Sequence, residues 1–206
     1  MILSDLMKHY LKMLFLVLIP LLFSIESFSQ SAFELHERRT KLISQLDSNS
    51  AAVLKAAEGK TKANDVPYPY HQESNFLYLT GIKAPGNYLL LIPQGTEIDG
   101  KKINTIFFGT GKLEDSTNLS DYELILNADR FKDIFSSILP PLTTLYVSAP
   151  DLGFINDWLN NKRYYIDKDA RKELENKFPN LKTKSISGLA AKLREIKSET
   201  ELKLIQ

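Results

Sequence analysis

Chemistry in this chain would fall to very few side chains. It has three histidines, His9, His36 and His71, and no cysteine. Thiolate nucleophiles, thiolate metal ligands and disulfides are therefore all absent. His9 lies in an apolar leader. His36 lies on the charged side of an expected helix, where it reads as solvated. His71 is the sharper candidate, because Glu73 stands two residues away. Such a pair faces together on a strand but not on a helix. Metal or acid–base use is open to His71, beside a structural, hydrogen-bonded role. No HExxH motif exists to gather metal ligands. Gly109-Thr110-Gly111-Lys112 hints at a phosphate loop. A Walker loop needs a glycine where Ile106 stands and Ser or Thr where Leu113 stands, so a turn after a strand is the better reading. Neither GxSxG nor GxGxxG occurs. Asn118-Leu119-Ser120 forms a sequon that reads as incidental.

The densest chemistry lies in DVPYPYHQESNFLYLTG, residues 65–81. Tyr68, Tyr70, Phe76 and Tyr78 could stack on nucleobases. Single-strand binding also needs a basic groove, and 26 basic against 25 acidic residues leave a net charge of only +1. Nucleic-acid binding and electrostatic attachment to anionic lipid have no support. Locally, Pro67 and Pro69 hold the approach extended. Ser74 is expected to cap a short helix that turns Phe76, Leu77 and Leu79 inward, and Gly81 to end it at positive φ. The stretch reads as a packed corner rather than a reaction centre.

The elements that must position it follow from composition and periodicity. With 43% hydrophobic and 25% charged residues, the chain has enough apolar material for one core. Residues 1–29 stand apart. Lys8 and Lys12 precede the apolar run Met13–Phe23, and Ser27-Phe28-Ser29 offers a small-x-small cleavage site. This is the order of a secretory signal. The run falls short of the roughly 20 residues of a membrane-spanning helix. The chain is therefore expected to be exported, to a periplasm or beyond the cell, with no stable membrane span.

Residues 33–47 predict an amphipathic helix with Leu35, Leu42, Ile43 and Leu46 on one face. Strands are expected at 51–57, at 87–93, and after the Asp99-Gly100 hairpin signal. Residues 120–139 predict a helix in two pieces, opening at Ser120. A strand at 143–149 and a helix from Asp151 through Trp158 follow. Next come a charged helix at 168–177, a short strand near 183–187, and a helix over GLAAKLREIK. The fold class is α/β, a mixed β-sheet flanked by helices on both faces. Ser198-Glu199-Thr200-Glu201 is a capping box that opens one more helix. About two turns of it precede Gln206, too few to be stable alone. It is expected to lead into something further.

Asp65, Tyr68, Pro69, Tyr70, Gln72, Ser74, Phe76, Tyr78, Thr80 and Gly81 together resemble the signature of the aminopeptidase P N-terminal domain. This domain is similar to those of creatinase and prolidase. FELHERR resembles the family's opening helix, Ala51–Ala57 its first strand, and YLLLIP after Pro85 the strand behind the signature. Ile196-Lys197-Ser198 with Glu199 and Glu201 resembles the helix leading into the catalytic domain. The likeness covers residues 33–206. It implies a domain at 30–196, a linker helix from 197 to 206, and a catalytic domain beyond. It also implies a metalloaminopeptidase that releases an N-terminal residue preceding proline from peptides, using two manganese ions and a bridging hydroxide. The family's ligands, two aspartates, a histidine and two glutamates, lie in that later "pita-bread" domain. No catalytic or metal residue is expected in this chain, which alone would be inactive. The family's N-terminal domain builds homo-oligomer contacts and narrows access to the active site. Where relatives place Trp and Arg around the Gly109 turn, this chain has Phe107-Phe108 and Lys112. A prolidase- or creatinase-like hydrolase and a free-standing binding module are the alternatives.

Overall fold

The computed structural model describes residues 32–59, 69–110, 119, 121–148, 154–157, 162–165, 174–198 and 201–202. All of them belong to the unit 30–203. The leader 1–29, Asp65 and Tyr68 lie outside the described residues. Helix α1 spans Ala32–Ile43, and its buried stripe is Leu35, Arg38, Arg39 and Leu42. Strand β1 is Ser50–Lys55, α2 is Ser74–Thr80, β2 is Tyr88–Ile98 and β3 is Lys101–Gly109. Then come β4 (Leu124–Asn127), a 3-10 turn (Ala128–Arg130), α3 (Phe131–Ile138) and β5 (Thr144–Val147). Strands β6 (Phe154–Asp157) and β7 (Lys162–Tyr165) precede β8 (Lys182–Ser185) and α4 (Ser187–Glu195).

Six strands form one mixed sheet in the order β4-β3-β2-β1-β5-β8. Its middle, β1-β2-β3, is antiparallel, while β4 joins β3, β5 joins β1 and β8 joins β5 in parallel. Side chains alternate between the two faces, as strand geometry requires. Ala52, Leu54, Leu89, Leu91, Phe107 and Tyr146 point to one face, where Leu42 of α1 and Phe76 and Leu79 of α2 cover them. Leu189 and Leu193 of α4 pack against the same cluster. Leu90, Ile92, Ile106, Phe108 and Leu145 point to the other face, under Phe131, Ile134, Phe135 and Ile138 of α3. Central strands buried on both faces read as continuous apolar runs, which is why YLLLI and TIFF carry no alternation. The expected sheet with helices on both faces is thus observed.

Three elements differ from their sequence expectation. Strand β2 does not stop at Pro93. A register shift between Leu91 and Thr96 takes the proline out of the ladder, as bulges commonly do. The Asn104 amide donates to the Ile92 and Pro93 carbonyls at 2.8 and 3.0 Å and secures the irregular stretch. The Asp99-Gly100 hairpin is as expected, with both residues at positive φ, 51° and 73°. The first piece of the helix expected over 120–139 is strand β4 instead. Its LIL run is too short for periodicity to separate helix from strand, and parallel pairing with β3 decides the matter. The helix expected from Asp151 through Trp158 is contradicted at 154–157. Those residues form β6, paired antiparallel with β7 in a separate two-stranded sheet, while Asp151 and Trp158 lie outside the described residues. Of the helix expected at 168–177, residues 174–177 are described and helical.

The turn after α1 is tied to the β5–β8 edge of the sheet. Asp47 Oδ2 accepts from Tyr146 Oη at 3.0 Å and from Lys184 Nζ at 2.7 Å. The Lys184 hydrogen bond, then the Tyr146 one, holds the Asp47 carboxyl below its ordinary value of 3.8. A carboxyl depressed in the folded state stabilises above its unfolded pKa, and that contribution is lost as pH falls through the folded pKa. The site is exposed, so the effect is small. In urea unfolding at pH 6 and again at pH 3, Asp47→Asn should lose less stability on acidification than the unaltered chain. Equal losses would remove Asp47 from the acid response.

Candidate functional site

Helix α2, the centre of the aromatic stretch, is seven residues long. A helix of that length does not persist alone, so its ends depend on what other groups supply. At the N-terminus the cap is Glu73, in extended conformation, not Ser74 as expected. The Glu73 carboxylate accepts from Asn75 N at 3.1 Å and Phe76 N at 2.6 Å. It reaches two free amides and adds a negative charge at the positive end of the helix dipole, which a hydroxyl one residue later cannot do. Ser74 is exposed. Phe76 and Leu79 face inward as expected. Leu77 is only half-buried, and Asn75 and Thr80 are buried instead.

The C-terminus is satisfied in three ways. Gly81 takes the left-handed conformation at φ 67°, and its N–H donates to the Leu77 carbonyl at 2.8 Å. Thr80 Oγ1 donates to the Phe76 carbonyl at 2.7 Å and accepts from Ile82 N at 3.1 Å. Two neighbouring arginines of α1 take the next carbonyls. Arg38 Nη1 donates to Tyr78 O at 3.0 Å, and Arg39 Nη1 donates to Leu79 O at 2.8 Å. Their relative exposures are 5% and 1%. Charges buried this deeply need partners. Arg38 pairs with Glu34 at 2.7 Å and Glu201 at 3.2 Å, and Arg39 pairs with Asp121. Each guanidinium also lies over a ring, Arg38 over Tyr78 at 4.2 Å and Arg39 over Tyr122 at 4.1 Å. Burial pushes both phenols above the ordinary tyrosine range, outweighing the nearby arginine in each case. Tyr78 Oη in turn donates to the Leu193 carbonyl of α4 at 3.1 Å, and Arg194 Nη1 donates to Asn75 Oδ1 at 3.3 Å.

Before α2 the chain is held by Gln72. Its Oε1 accepts from Ala57 N at 2.7 Å and from Glu73 N at 2.9 Å. Its Nε2 donates to the Ile82 and Ala84 carbonyls at 3.0 and 3.1 Å. One amide thus ties the end of β1 to the approach and exit of α2. Tyr70 Oη donates to the Ala57 carbonyl at 3.1 Å, and burial raises its pKa. Pro69 and His71 are exposed.

Tyr70, Gln72, Phe76, Tyr78, Thr80 and Gly81 therefore gather at one corner between α1, β1 and α4, while Pro69 and Ser74 are exposed. His71 does not pair catalytically with Glu73, whose oxygens are engaged with the amides of α2. Thr110, in the turn after β3, donates its N–H to Asn87 Oδ1 at 2.9 Å. Gly111 and Lys112 lie outside the described residues. Among the described residues no group of three or more His, Cys, Asp or Glu side chains converges to hold a metal. The acids at the corner, Glu34, Asp121 and Glu201, face arginines. This donor set does not fit a two-metal centre. What the corner can do is hold helices in register.

Sequence reasoning missed Arg38 and Arg39. The signal was present. They occupy stripe positions between Leu35 and Leu42, at the i, i+3, i+4, i+7 spacing where apolar residues are normal. Charges there mark a buried ion pair on a neighbouring element. Asp121, Tyr122 and Glu201 gave no sign of being its partners.

The cap assignment is testable in urea. Glu73→Ala is expected to lose about 1 kcal/mol, whereas Ser74→Ala should stay within about 0.5 kcal/mol of the unaltered chain. The reverse order would return the cap to Ser74.

Known proteins share this architecture. Residues 35–122 match the model of the aminopeptidase P N-terminal domain. The chain is 44% identical to a Xaa-Pro aminopeptidase of Haemophilus influenzae, over 61% of this chain and 31% of that protein. It is 29% identical to the mitochondrial intermediate cleaving peptidase 55 of Arabidopsis thaliana, over 82% of this chain and 33% of that protein. The chain thus spans about a third of the length of these curated relatives. In fold it is similar to proline aminopeptidase P II from Yersinia pestis, with TM-score 0.60 and 22% identity over 84% of this chain and 41% of that one. The low-pH form of Escherichia coli aminopeptidase P gives the same TM-score, identity and coverage. Over residues 35–122 this chain thus matches the aminopeptidase P N-terminal domain, and its mixed sheet is similar in fold to aminopeptidase P structures.

Proposed function

We propose that this chain acts as the non-catalytic front domain of an exported Xaa-Pro aminopeptidase. The observation that carries the reading is the match at 35–122 to a domain whose relatives, by name Xaa-Pro aminopeptidases, extend to about twice this chain's length. In this reading residues 1–29 are a signal removed on export, 30–196 are the domain, and 197–206 begin the helix into a catalytic domain. That domain would hold two metal ions, manganese by family resemblance, which supply the hydroxide for peptide hydrolysis. The residues described here would contribute oligomer and interdomain contacts and restrict which peptides reach the site.

Exposed apolar surface supports the contact role. The exposed large hydrophobic side chains among the described residues are Phe33, Ile196 and Leu202, at 71%, 80% and 50%. Each stands within two residues of Glu34, Ser198 or Glu201, where the last described helix opens. Side chains of this kind are covered when a following body packs against them.

The test compares two proteins with manganese present: the product of the uninterrupted gene, and residues 30–206 alone. The first should release the N-terminal residue from Gly-Pro-type peptides and, after export, begin at Gln30. The second should release none. Hydrolysis by residues 30–206 alone would overturn the assignment. A reading frame closing at residue 206 would instead favour a free-standing binding module.

A further inference from the structure

Four side chains from both ends of the described chain close a ring. Arg38 Nη2 lies 2.7 Å from Glu34 Oε1 and 3.2 Å from Glu201 Oε1. Ser198 Oγ donates to the same Glu34 Oε1 at 2.5 Å. The capping box closes the circuit, with Ser198 N donating to Glu201 Oε2 at 2.9 Å and Glu201 N donating to Ser198 Oγ at 3.1 Å. The side chains of Arg38, Glu34 and Glu201 are exposed by only 5%, 13% and 17%. Beneath the ring Tyr78 carries the guanidinium on its face and anchors its hydroxyl on the Leu193 carbonyl of α4.

A capping box needs none of this. It is complete within its own turn, and the usual box on an exposed helix has no outside partners. Here the Ser and the Glu of the box are both also bound to α1, 164 residues away for the Ser198–Glu34 contact. Between α4 and the box the chain passes only through Ile196 and Lys197, and Ile196 has an extended backbone at φ −90°, ψ 108°. Such a joint would swivel if nothing held the segment beyond it.

We propose that the Glu34–Arg38–Glu201–Ser198 ring is a rigid mount that fixes the direction in which the polypeptide leaves the domain. Whatever follows residue 202 is then aimed by α1 and α2 rather than hung on a flexible linker. That a catalytic domain is the body so aimed rests on the function proposed above; the mount itself does not.

Amide hydrogen exchange on the 206-residue chain tests it directly. The Leu202 N–H donates to the Ser198 carbonyl at 3.0 Å. In a helix this short and unmounted, that amide exchanges near the unstructured rate. The mount predicts at least about tenfold slower exchange at Leu202. Glu201→Gln preserves the capping box, which accepts Gln at that position, yet removes the charge facing Arg38. It should return Leu202 most of the way to the free rate and leave the Leu90 and Ile106 amides of the sheet unchanged. Arg38→Gln should do the same. Should that variant also unprotect the sheet, Glu201→Gln decides alone. Leu202 exchanging within about twofold of the free rate in the unaltered chain, or unaffected by Glu201→Gln, would overturn the mount. Neither result depends on whether a hydrolase follows.

Discussion

Two arginines buried side by side do what the sequence around them cannot. Helix α2 ends with carbonyls that its own backbone leaves unpaired, and they are partly or wholly buried against α1. Arg38 and Arg39 supply one N–H each, to Tyr78 O and Leu79 O. Both bring positive charge to the negative end of the helix dipole. The cost is two desolvated cations, which is met by Glu34, Glu201 and Asp121 and by the faces of Tyr78 and Tyr122. Removing the acids would leave two buried cations without their ion-pair partners, and such losses are large. The corner is therefore mutually dependent. The aromatic stretch needs α1, α1 needs the acids, and one of those acids opens the last described helix.

This arrangement accounts for the polar side chains of so unusual a segment. Its polar groups are spent on backbone: Gln72 on four backbone partners, Glu73 on two amides, Thr80 on a carbonyl and an amide. A catalytic residue keeps a reactive atom open toward a substrate; these have been turned inward. The tyrosines likewise serve as platforms for guanidinium and as donors to carbonyls.

The fold was legible where burial and period agree. The apolar runs at 51–54, 89–92 and 105–108 had to be central strands, and Asp99-Gly100 had to turn between two of them. It was not legible where local pattern is silent. LILN at 124–127 becomes a strand only because β3 offers it an edge. FIND at 154–157 becomes one only because KRYY returns beside it. The corner was half legible. Gly81 was placed correctly at the helix end. Its arginines were passed over as surface charge on an amphipathic helix, although they sit on the stripe that α1 buries. The cap went to Ser74 by residue preference, while the geometry gave it to Glu73. Long-range partners such as Asp121 and Glu201 have no local signal at all, because their role is set by contacts dozens of residues away.

The central claim is that Arg38 and Arg39 jointly cap α2 and thereby hold the signature on the sheet. Equilibrium urea unfolding of the double variant Arg38→Met/Arg39→Met, which keeps side-chain bulk and removes both charges, tests it most directly. The account predicts a loss of at least about 3 kcal/mol, because two helix carbonyls lose their donors and three acids lose the positive charges they face in a mostly buried site. A double variant within about 0.5 kcal/mol of the unaltered chain would show that the corner stands without its arginines, and would contradict the account.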